Sequence, residues 1–223
     1  MSVGILEVGE EFADFLHDES RREGRADRIA FPKSTEEVRN VLAMAAQHGW
    51  RVTVQGGRTG ITGGCVPDGG LILNLSRMNA IGAIEGDRLV VQPGATLGEI
   101  RASIKDSGLF FPSDLTETTA TIGGMVANNA SGARSYRYGS VRPWIHALQV
   151  VLTSGEVVEL ERGVQKVDGQ LFKVGLIEGE LPELPMPNVK TAAGYFVKPD
   201  MDLVDLFIGA EGTLGVVTEI TLQ

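Results

Sequence analysis

The sequence predicts a globular fold that mixes α-helices and β-strands, because stretches with helical and with strand-like patterns alternate along its 223 residues. That length is enough for one large domain or for two small subdomains. Hydrophobic residues make up 43% of the chain and charged residues 22%, as is ordinary for a soluble globular protein. Glycine is the exception: 29 of 223 residues are glycine, about 13% against a usual value of about 7%, and they occur in clusters.

The first predicted unit ends near residue 77 and contains a helix, a strand, a loop and a second strand. Ser34 or Thr35 is expected to cap the helix, since hydroxyls accept hydrogen bonds from the free N–H groups of a first helical turn. Gly49 is expected to end it, because glycine tolerates the left-handed conformation that follows many helices. The segments are a lead-in helix within 8–23, the capped helix up to 48, and strands at 51–54 and 71–75.

The rest of the chain, from residue 78, also contains both kinds of element. Ser154 and Gly155 predict a tight hairpin, and the three prolines after residue 181 predict an exposed excursion over 162–188. The predicted strands cover 88–92, 147–152, 156–160 and 214–222, and the predicted helices cover 96–107, 121–129 and 202–207.

Charge and cysteine content restrict the possible partners and compartment. The formal net charge is −9, so the surface repels phosphate backbones and nucleic acid is not an expected partner. Cys65 is the only cysteine, which excludes an internal disulfide and fits a reducing, cytoplasmic setting. Residues 1–11 lack the pattern of a signal peptide, and no apolar run approaches the roughly 20 residues of a membrane span.

The first glycine cluster, residues 55–64, directly follows a predicted strand. Glycines without a Cβ let the backbone approach a ligand closely, and successive N–H groups then form a concavity that binds anions. A diphosphate is the natural ligand for such a loop, and a mobile surface turn is the alternative. The loop is not a Walker A motif, since no Gly-Lys-Ser/Thr follows it, and its spacing does not match a Rossmann fingerprint.

Two more clusters follow: the second glycine cluster, residues 121–139, and the third glycine cluster, residues 209–217. The second is rich in small residues and amides but poor in large apolar side chains, which suits a flat ligand lying against backbone. Its Arg134 and Arg137 either neutralise phosphate or face solvent, and Tyr136 is expected to be a packing residue. One long ligand that touches all three clusters is the simplest explanation for their number.

These motifs resemble, in order, the FAD-binding domain of the vanillyl-alcohol oxidase superfamily. The matching stretches are V-Q-G-G-R-T-G-I-T-G-G, F-P-S-D, T-I-G-G-M-V-A-N-N-A-S-G, Y-G and G-A-E-G-T-L-G-V-V. Within that superfamily they are most similar to the branch of D-lactate and D-2-hydroxyglutarate dehydrogenases and glycolate oxidase flavoproteins, as is the segment 190–195. The resemblance implies an α+β fold of two subdomains, 1–77 and 78–223, with FAD between them.

The resemblance also implies which residues contact FAD. The adenine end would lie at Pro32, Lys33 and Ser34. The diphosphate would lie against the first cluster, at Gln55, Gly56, Gly57, Arg58, Thr59, Gly60, Gly63 and Gly64. The ribityl chain and ring would be lined by Pro112, Ser113, Ile122, Gly123, Gly124, Asn128, Ala130, Ser131 and Gly132. Further contacts are implied for Tyr138, Gly139, Glu211, Gly212, Gly215 and Val216, of which the last four would close the site.

The sequence departs from the family where the cap domain is expected. Family members continue into a cap domain that carries most substrate-binding and catalytic residues, whereas this sequence stops at Gln223. We therefore name no catalytic residue and expect no cap domain within these 223 residues. No metal site is expected either, because His17, His48 and His146 do not pair at ligand spacing. The FAD is expected to be non-covalent, since some relatives link the flavin to a histidine where this chain has Arg58, and a link to Cys65, just beyond the loop, is the alternative.

The resemblance implies an FAD-linked oxidoreductase that acts on a small 2-hydroxy acid such as D-lactate, glycolate or D-2-hydroxyglutarate. In such enzymes a hydride passes to flavin N5 and the electrons leave to a separate acceptor, so a cap or electron-acceptor subunit is an expected partner. A non-catalytic flavin-binding or electron-relay module is the alternative. A cell-wall precursor reductase that uses NADPH shares the fold but fits the surrounding motifs less well.

Overall fold

The computed structural model describes residues 4–187, 189 and 191–223, and these form an α+β fold. The strands are β1 Ile5–Glu7, β2 Arg28–Ala30, β3 Val52–Gln55, β4 Leu71–Asn74, β5 Ile81–Glu85, β6 Arg88–Val91, β7 Ile145–Val151, β8 Val157–Glu161, β9 Leu171–Val174, β10 Ile177–Glu180 and β11 Val216–Leu222. The α-helices are α1 Thr35–His48, α2 Leu97–Ile104, α3 Ile122–Ala127, α4 Ser135–Tyr138 and α5 Val204–Phe207. None of the helices in the described part of the chain is long and apolar enough to span a membrane.

The first sheet has the strand order β1-β2-β4-β3. Strands β2 and β3 both run parallel to the central strand β4, which is buried along its whole length. Their carboxyl ends therefore meet at one edge of the sheet, where the chain enters Pro32 from β2 and the first glycine cluster from β3. In open sheets with parallel strands, ligands bind outside this edge.

Helix α1 covers the first sheet and has the predicted termini. The Ser34 hydroxyl accepts a hydrogen bond from the N–H of Glu37, and Gly49 follows the helix with a φ of 68°. Val38 and Ala45 are buried on its inner face. The first two observations confirm the predicted cap and the predicted end of the helix.

The second sheet is antiparallel, with the order β5-β6-β11-β7-β8. The hairpin of β7 and β8 confirms the turn predicted at Ser154 and Gly155. The last strand, β11, was predicted as a closing strand, and it inserts at the centre of the sheet between β6 and β7. Val151 and Val216 from this sheet pack in one apolar cluster with α1 and β4, so the two sheets share a core.

Two predicted segments differ from the structure. Residues 8–23 contain a 3-10 helix, Glu10–Leu16, in place of an amphipathic α-helix. Residues three apart eclipse in a 3-10 helix, and Phe12 and Phe15 accordingly contact each other and Phe31 with ring centroids 5.2–6.1 Å apart. The excursion at 162–188 is exposed at several positions but also contains the hairpin of β9 and β10, which the sequence pattern did not predict.

Candidate functional site

The first glycine cluster lies against the residues that begin α3. The N–H of Gly57 donates to Oγ1 of Thr121 over 3.2 Å. A Cβ added to Gly56 would lie 2.2 Å from the same hydroxyl oxygen, and one added to Gly57 would lie 2.9 Å from the carbonyl oxygen of Thr119. Only glycine allows this approach, so the two glycines bring the first and second clusters together.

The third glycine cluster lies at the other end of α3. The N–H of Gly209 donates to the carbonyl of Val126, and the N–H of Glu211 donates to the carbonyl of Ala127, each over 2.9 Å. A Cβ added to Gly64 would lie 3.3 Å from a carboxylate oxygen of Glu211. The third cluster therefore contacts both of the others, and all three adjoin at the carboxyl edge of the first sheet.

The first glycine cluster presents unused hydrogen-bond donors. The N–H groups of residues 58–64 donate to no acceptor in the part of the chain that the structure describes, although Gly57 and Val66 on either side do. Arg58 and Gly63 within this run adopt positive φ angles of 58° and 78°. A run of free N–H groups with left-handed residues is the geometry that backbone anion sites use.

Cationic side chains and aromatic rings stand at the same edge. The guanidinium of Arg58 lies 4.2 Å from the ring centroid of Phe15, and that of Arg77 lies 4.8 Å from the centroid of Phe31. Lys33, two residues after Phe31, is exposed. The Ser34 hydroxyl already accepts a hydrogen bond as the cap of α1. The protein is acidic overall, yet two guanidinium groups lie at this edge, together with the carboxylate of Glu211 near Gly64.

A buried hydroxyl without a partner marks the loop that contains residues 112–114. Ser113 is only 2% exposed, and its Oγ has no hydrogen-bond partner among the residues described. The neighbouring Asp114 is fixed by Arg101 and Arg134, and its carbonyl accepts the N–H of Ala133 over 2.9 Å. A buried polar atom that lacks a partner is costly, so the Ser113 hydroxyl is a group that a bound ligand would satisfy.

Several predicted contact residues have packing roles that already explain their identity. Tyr138 contacts the rings of Phe110 and Trp144, and its carbonyl accepts the Trp144 indole N–H over 3.0 Å. Gly215 lies so close to Val150 that a Cβ would come within 2.6 Å of its side chain. Packing in the same way accounts for Ile122, Gly123, Gly132 and Val216. Their contact with FAD stays a prediction, as it does for Pro32, Pro112, Asn128, Ala130, Ser131 and Gly139.

Two side chains that shape the site, Thr121 and Asn129, were not predicted as site residues, and Gln55 was predicted in a different role. Thr121 joins the first and second clusters, although it was predicted only as part of a small-residue run. Asn129 is buried with a φ of 44°, and its side chain accepts the N–H of Arg142. Gln55 donates to the carbonyls of Phe15 and Cys65, so this predicted contact residue braces the first cluster from behind.

Cys65, at the end of the first cluster, is a protonated thiol. Burial, together with the adjacent Asp18 carboxylate, raises the pKa of Cys65 from 9.0 to about 11, while the nearby Arg58 opposes the rise. The Cys65 sulfur lies 3.6 Å from Oδ2 of Asp18. Nucleophilic attack requires the thiolate, so the surroundings of this cysteine suppress its reactivity.

The histidines make local contacts away from the three clusters. His146 lies 3.0 Å from a carboxylate oxygen of Glu161, and His48 stacks on Trp50 with ring centroids 4.6 Å apart. Lys190, which belongs to the family-like segment 190–195, lies outside the described residues.

Known proteins resemble the chain over nearly its whole length. It is 36% identical to D-lactate dehydrogenase of Anaerostipes hadrus over 97% of this chain and 40% of that protein. It is 34% identical to glycolate oxidase subunit GlcD of Bacillus subtilis over 88% of this chain and 36% of that protein. The chain therefore spans about two fifths of the length of these relatives.

Solved structures share the fold at low sequence identity. The structure of chitooligosaccharide oxidase superposes on this chain with a TM-score of 0.73 at 20% identity. The match covers 99% of this chain and 41% of the oxidase. Glucooligosaccharide oxidase from Acremonium strictum superposes with a TM-score of 0.72 at 21% identity, and the match covers 99% of this chain and 40% of the oxidase. That oxidase carries a 6-S-cysteinyl, 8α-N1-histidyl FAD. The sequence model of the FAD binding domain matches residues 26–161, which include the first and second glycine clusters. The chain belongs to the FAD binding domain family, as the resemblance to the vanillyl-alcohol oxidase superfamily predicted.

Proposed function

We propose that this chain is the FAD-binding part of an FAD-linked oxidoreductase that oxidises a small 2-hydroxy acid. The observation that carries the proposal is the meeting of three glycine clusters at the carboxyl edge of the first sheet. The relatives named D-lactate dehydrogenase, D-2-hydroxyglutarate dehydrogenase and glycolate oxidase subunit support the substrate class.

The donors and the geometry of the site fit FAD. The free N–H groups of residues 58–64 suit a diphosphate, and Arg58 and Arg77 supply positive charge beside them. The unpartnered hydroxyl of Ser113 suits a polar atom of the ribityl chain or the ring. Pro32 follows β2 at the same edge, where we place the adenine, and FAD then lies between the two proposed subdomains, 1–77 and 78–223.

The chain's own residues bind and orient the cofactor. The flavin, when bound, accepts the hydride from the carbon that bears the substrate's hydroxyl group. Thr121 and the glycines around it fix the backbone donors in place, and the buried Ser113 hydroxyl is available to orient the ribityl chain or the ring. We propose that a cap or a partner subunit supplies the residues that bind the substrate's carboxylate and accept the proton of its hydroxyl group. The relatives are more than twice as long as this chain, which leaves room for such residues outside it.

We further propose that the FAD is held without a covalent bond. The guanidinium of an arginine is not a nucleophile in proteins, so Arg58 does not replace the linking histidine of some relatives. Cys65 is the only thiol in the sequence, and its pKa of about 11 keeps it protonated. The chain thus differs from what is stated of the Acremonium strictum oxidase, whose FAD is linked to both a cysteine and a histidine.

The purified chain should bind FAD more tightly than FMN. FMN lacks the second phosphate and the adenosine, so it forgoes contacts with the first cluster and with the edge near Pro32. We expect a preference of about 100-fold, which corresponds to about 2.8 kcal/mol. Fluorescence titration of the apoprotein with each flavin measures this ratio, and equal affinities, or no affinity for FAD, would refute the proposed function.

Gly60→Val should weaken FAD binding by about tenfold or more and leave the fold intact. A Cβ at Gly60 meets no protein atom within 4 Å, so only a ligand against the backbone makes the substitution costly. Gly57→Val is a poorer test, because its side chain would also collide with Thr119. The matched control is Gly4→Val, which is equally open but lies far along the chain from the clusters. Wild-type FAD affinity in Gly60→Val would show that the diphosphate does not lie on this loop.

Cys65 should carry no flavin and should react slowly with alkylating reagents. Raising its pKa from 9.0 to about 11 lowers the thiolate fraction at pH 8 by about 100-fold, so alkylation should accelerate steadily as the pH rises toward 11. The same chain in denaturant, where the thiol is exposed, provides the reference rate. Acid precipitation followed by intact mass measurement checks the linkage: a mass increase of one flavin on the chain would contradict the prediction.

A further inference from the structure

The segment of residues 191–196, here called the strap, is tied to the third glycine cluster by a relay of hydrogen bonds. The phenol of Tyr195 lies 2.7 Å from Oγ1 of Thr213, and that hydroxyl donates to the carbonyl of Ala210 over 2.6 Å. Because the single proton of the Thr213 hydroxyl is used on Ala210, Tyr195 is the donor to Thr213. The backbone N–H of Thr213 donates to the same carbonyl over 3.0 Å, so the phenol fixes a hydroxyl that reinforces the turn of residues 210–213.

That turn has a backbone conformation that needs support. Glu211 and Gly212 both adopt positive φ angles, 52° and 74°. Left-handed backbone is unfavourable for a residue with a side chain such as glutamate, and it persists where the surroundings hold it. The supports are the bond from the Glu211 N–H to Ala127 on one side and, on the other, the two bonds that the N–H and the hydroxyl of Thr213 donate to Ala210.

A second contact ties the strap to the start of the same cluster. The guanidinium of Arg142 lies 4.2 Å from the ring centroid of Phe196 and donates to the carbonyl of Ile208 over 2.6 Å. Arg142 is held in turn by the buried carboxylate of Asp205, which also binds Arg162 over 2.9 Å. The strap therefore contacts the third cluster at two points: through Arg142 at Ile208, just before the cluster begins, and directly at Thr213.

From these contacts we infer that Tyr195 is a positioning residue for the cofactor site. It acts through Thr213 to keep Glu211 and Gly212 in the conformation that closes the site. This inference rests on the proposed function, because it gives the turn a role only if FAD binds there. Tyr195 is 42% exposed, so water replaces the lost partner when the phenol is removed, and the effect falls on cofactor binding more than on unfolding.

Five variants test the inference: Tyr195→Phe, Thr213→Val, Thr213→Ser, the double variant of Tyr195→Phe with Thr213→Val, and the control Thr221→Val. Three quantities are measured for each: the FAD dissociation constant, the visible spectrum of the bound flavin, and the unfolding midpoint of the apoprotein. Thr221 lies on β11, outside the three clusters, and undergoes the same chemical change as Thr213.

Tyr195→Phe should raise the FAD dissociation constant by about threefold to tenfold, the range expected for one hydrogen bond. It should change the fine structure of the bound-flavin spectrum and leave the apoprotein midpoint at the wild-type value. Thr213→Val should weaken binding at least as much, whereas Thr213→Ser, which keeps the hydroxyl, should bind like the wild type. The double variant should bind no worse than Thr213→Val, because that change already removes the bond.

Three results would overturn the inference. Wild-type affinity and spectrum in Tyr195→Phe would show that the phenol does not position the site. Additive losses in the double variant would show that the two side chains act independently. A lower apoprotein midpoint with unchanged FAD affinity would assign the bond to the fold alone. A wild-type chain that binds no FAD refutes the proposed function itself and is recognised before any variant is compared.

Discussion

The arrangement of the three glycine clusters depends on the close approach of Gly56 and Gly57 to Thr121. Two consecutive glycines, Gly56 and Gly57, bring the loop after β3 against the hydroxyl and the backbone that precede α3. A Cβ at either position would force the two loops apart, since each would come closer than 3.0 Å to an oxygen atom. Once these loops are joined, α3 presents its last carbonyls to the third cluster, and the three clusters become one surface.

The proposed site would allow an acidic protein to bind a diphosphate. The net charge of −9 acts over the whole surface, whereas the proposed phosphate site depends on N–H dipoles at very short range. Arg58 and Arg77 add positive charge locally, and each stacks on a phenyl ring that limits its motion. In the proposed site the local donors would decide the binding of the anion, while the acidic surface repels extended polyanions such as nucleic acid.

Local patterns in the sequence predicted local structure well. A few neighbouring residues determine each of these features: the Ser34 cap, the helix end at Gly49, the β7–β8 hairpin and the glycine clusters. The family motifs predicted FAD as the cofactor, and the match to the FAD binding domain supports that prediction. The central position of β11 was not predictable, because strands distant in sequence pair through tertiary packing that leaves no local signal. The same holds for Thr121 and for the pair of Tyr195 with Thr213, whose roles arise only when separate segments meet.

Hydrogen exchange of the backbone amides, with and without FAD, tests most directly whether the three clusters form a single site. If one FAD molecule spans them, protection should increase together in residues 56–64, 121–132 and 209–216, and the β9–β10 hairpin should exchange at an unchanged rate. The increases should also follow a single FAD concentration dependence. Protection confined to one cluster, or appearing at different FAD concentrations in different clusters, would contradict the central claim.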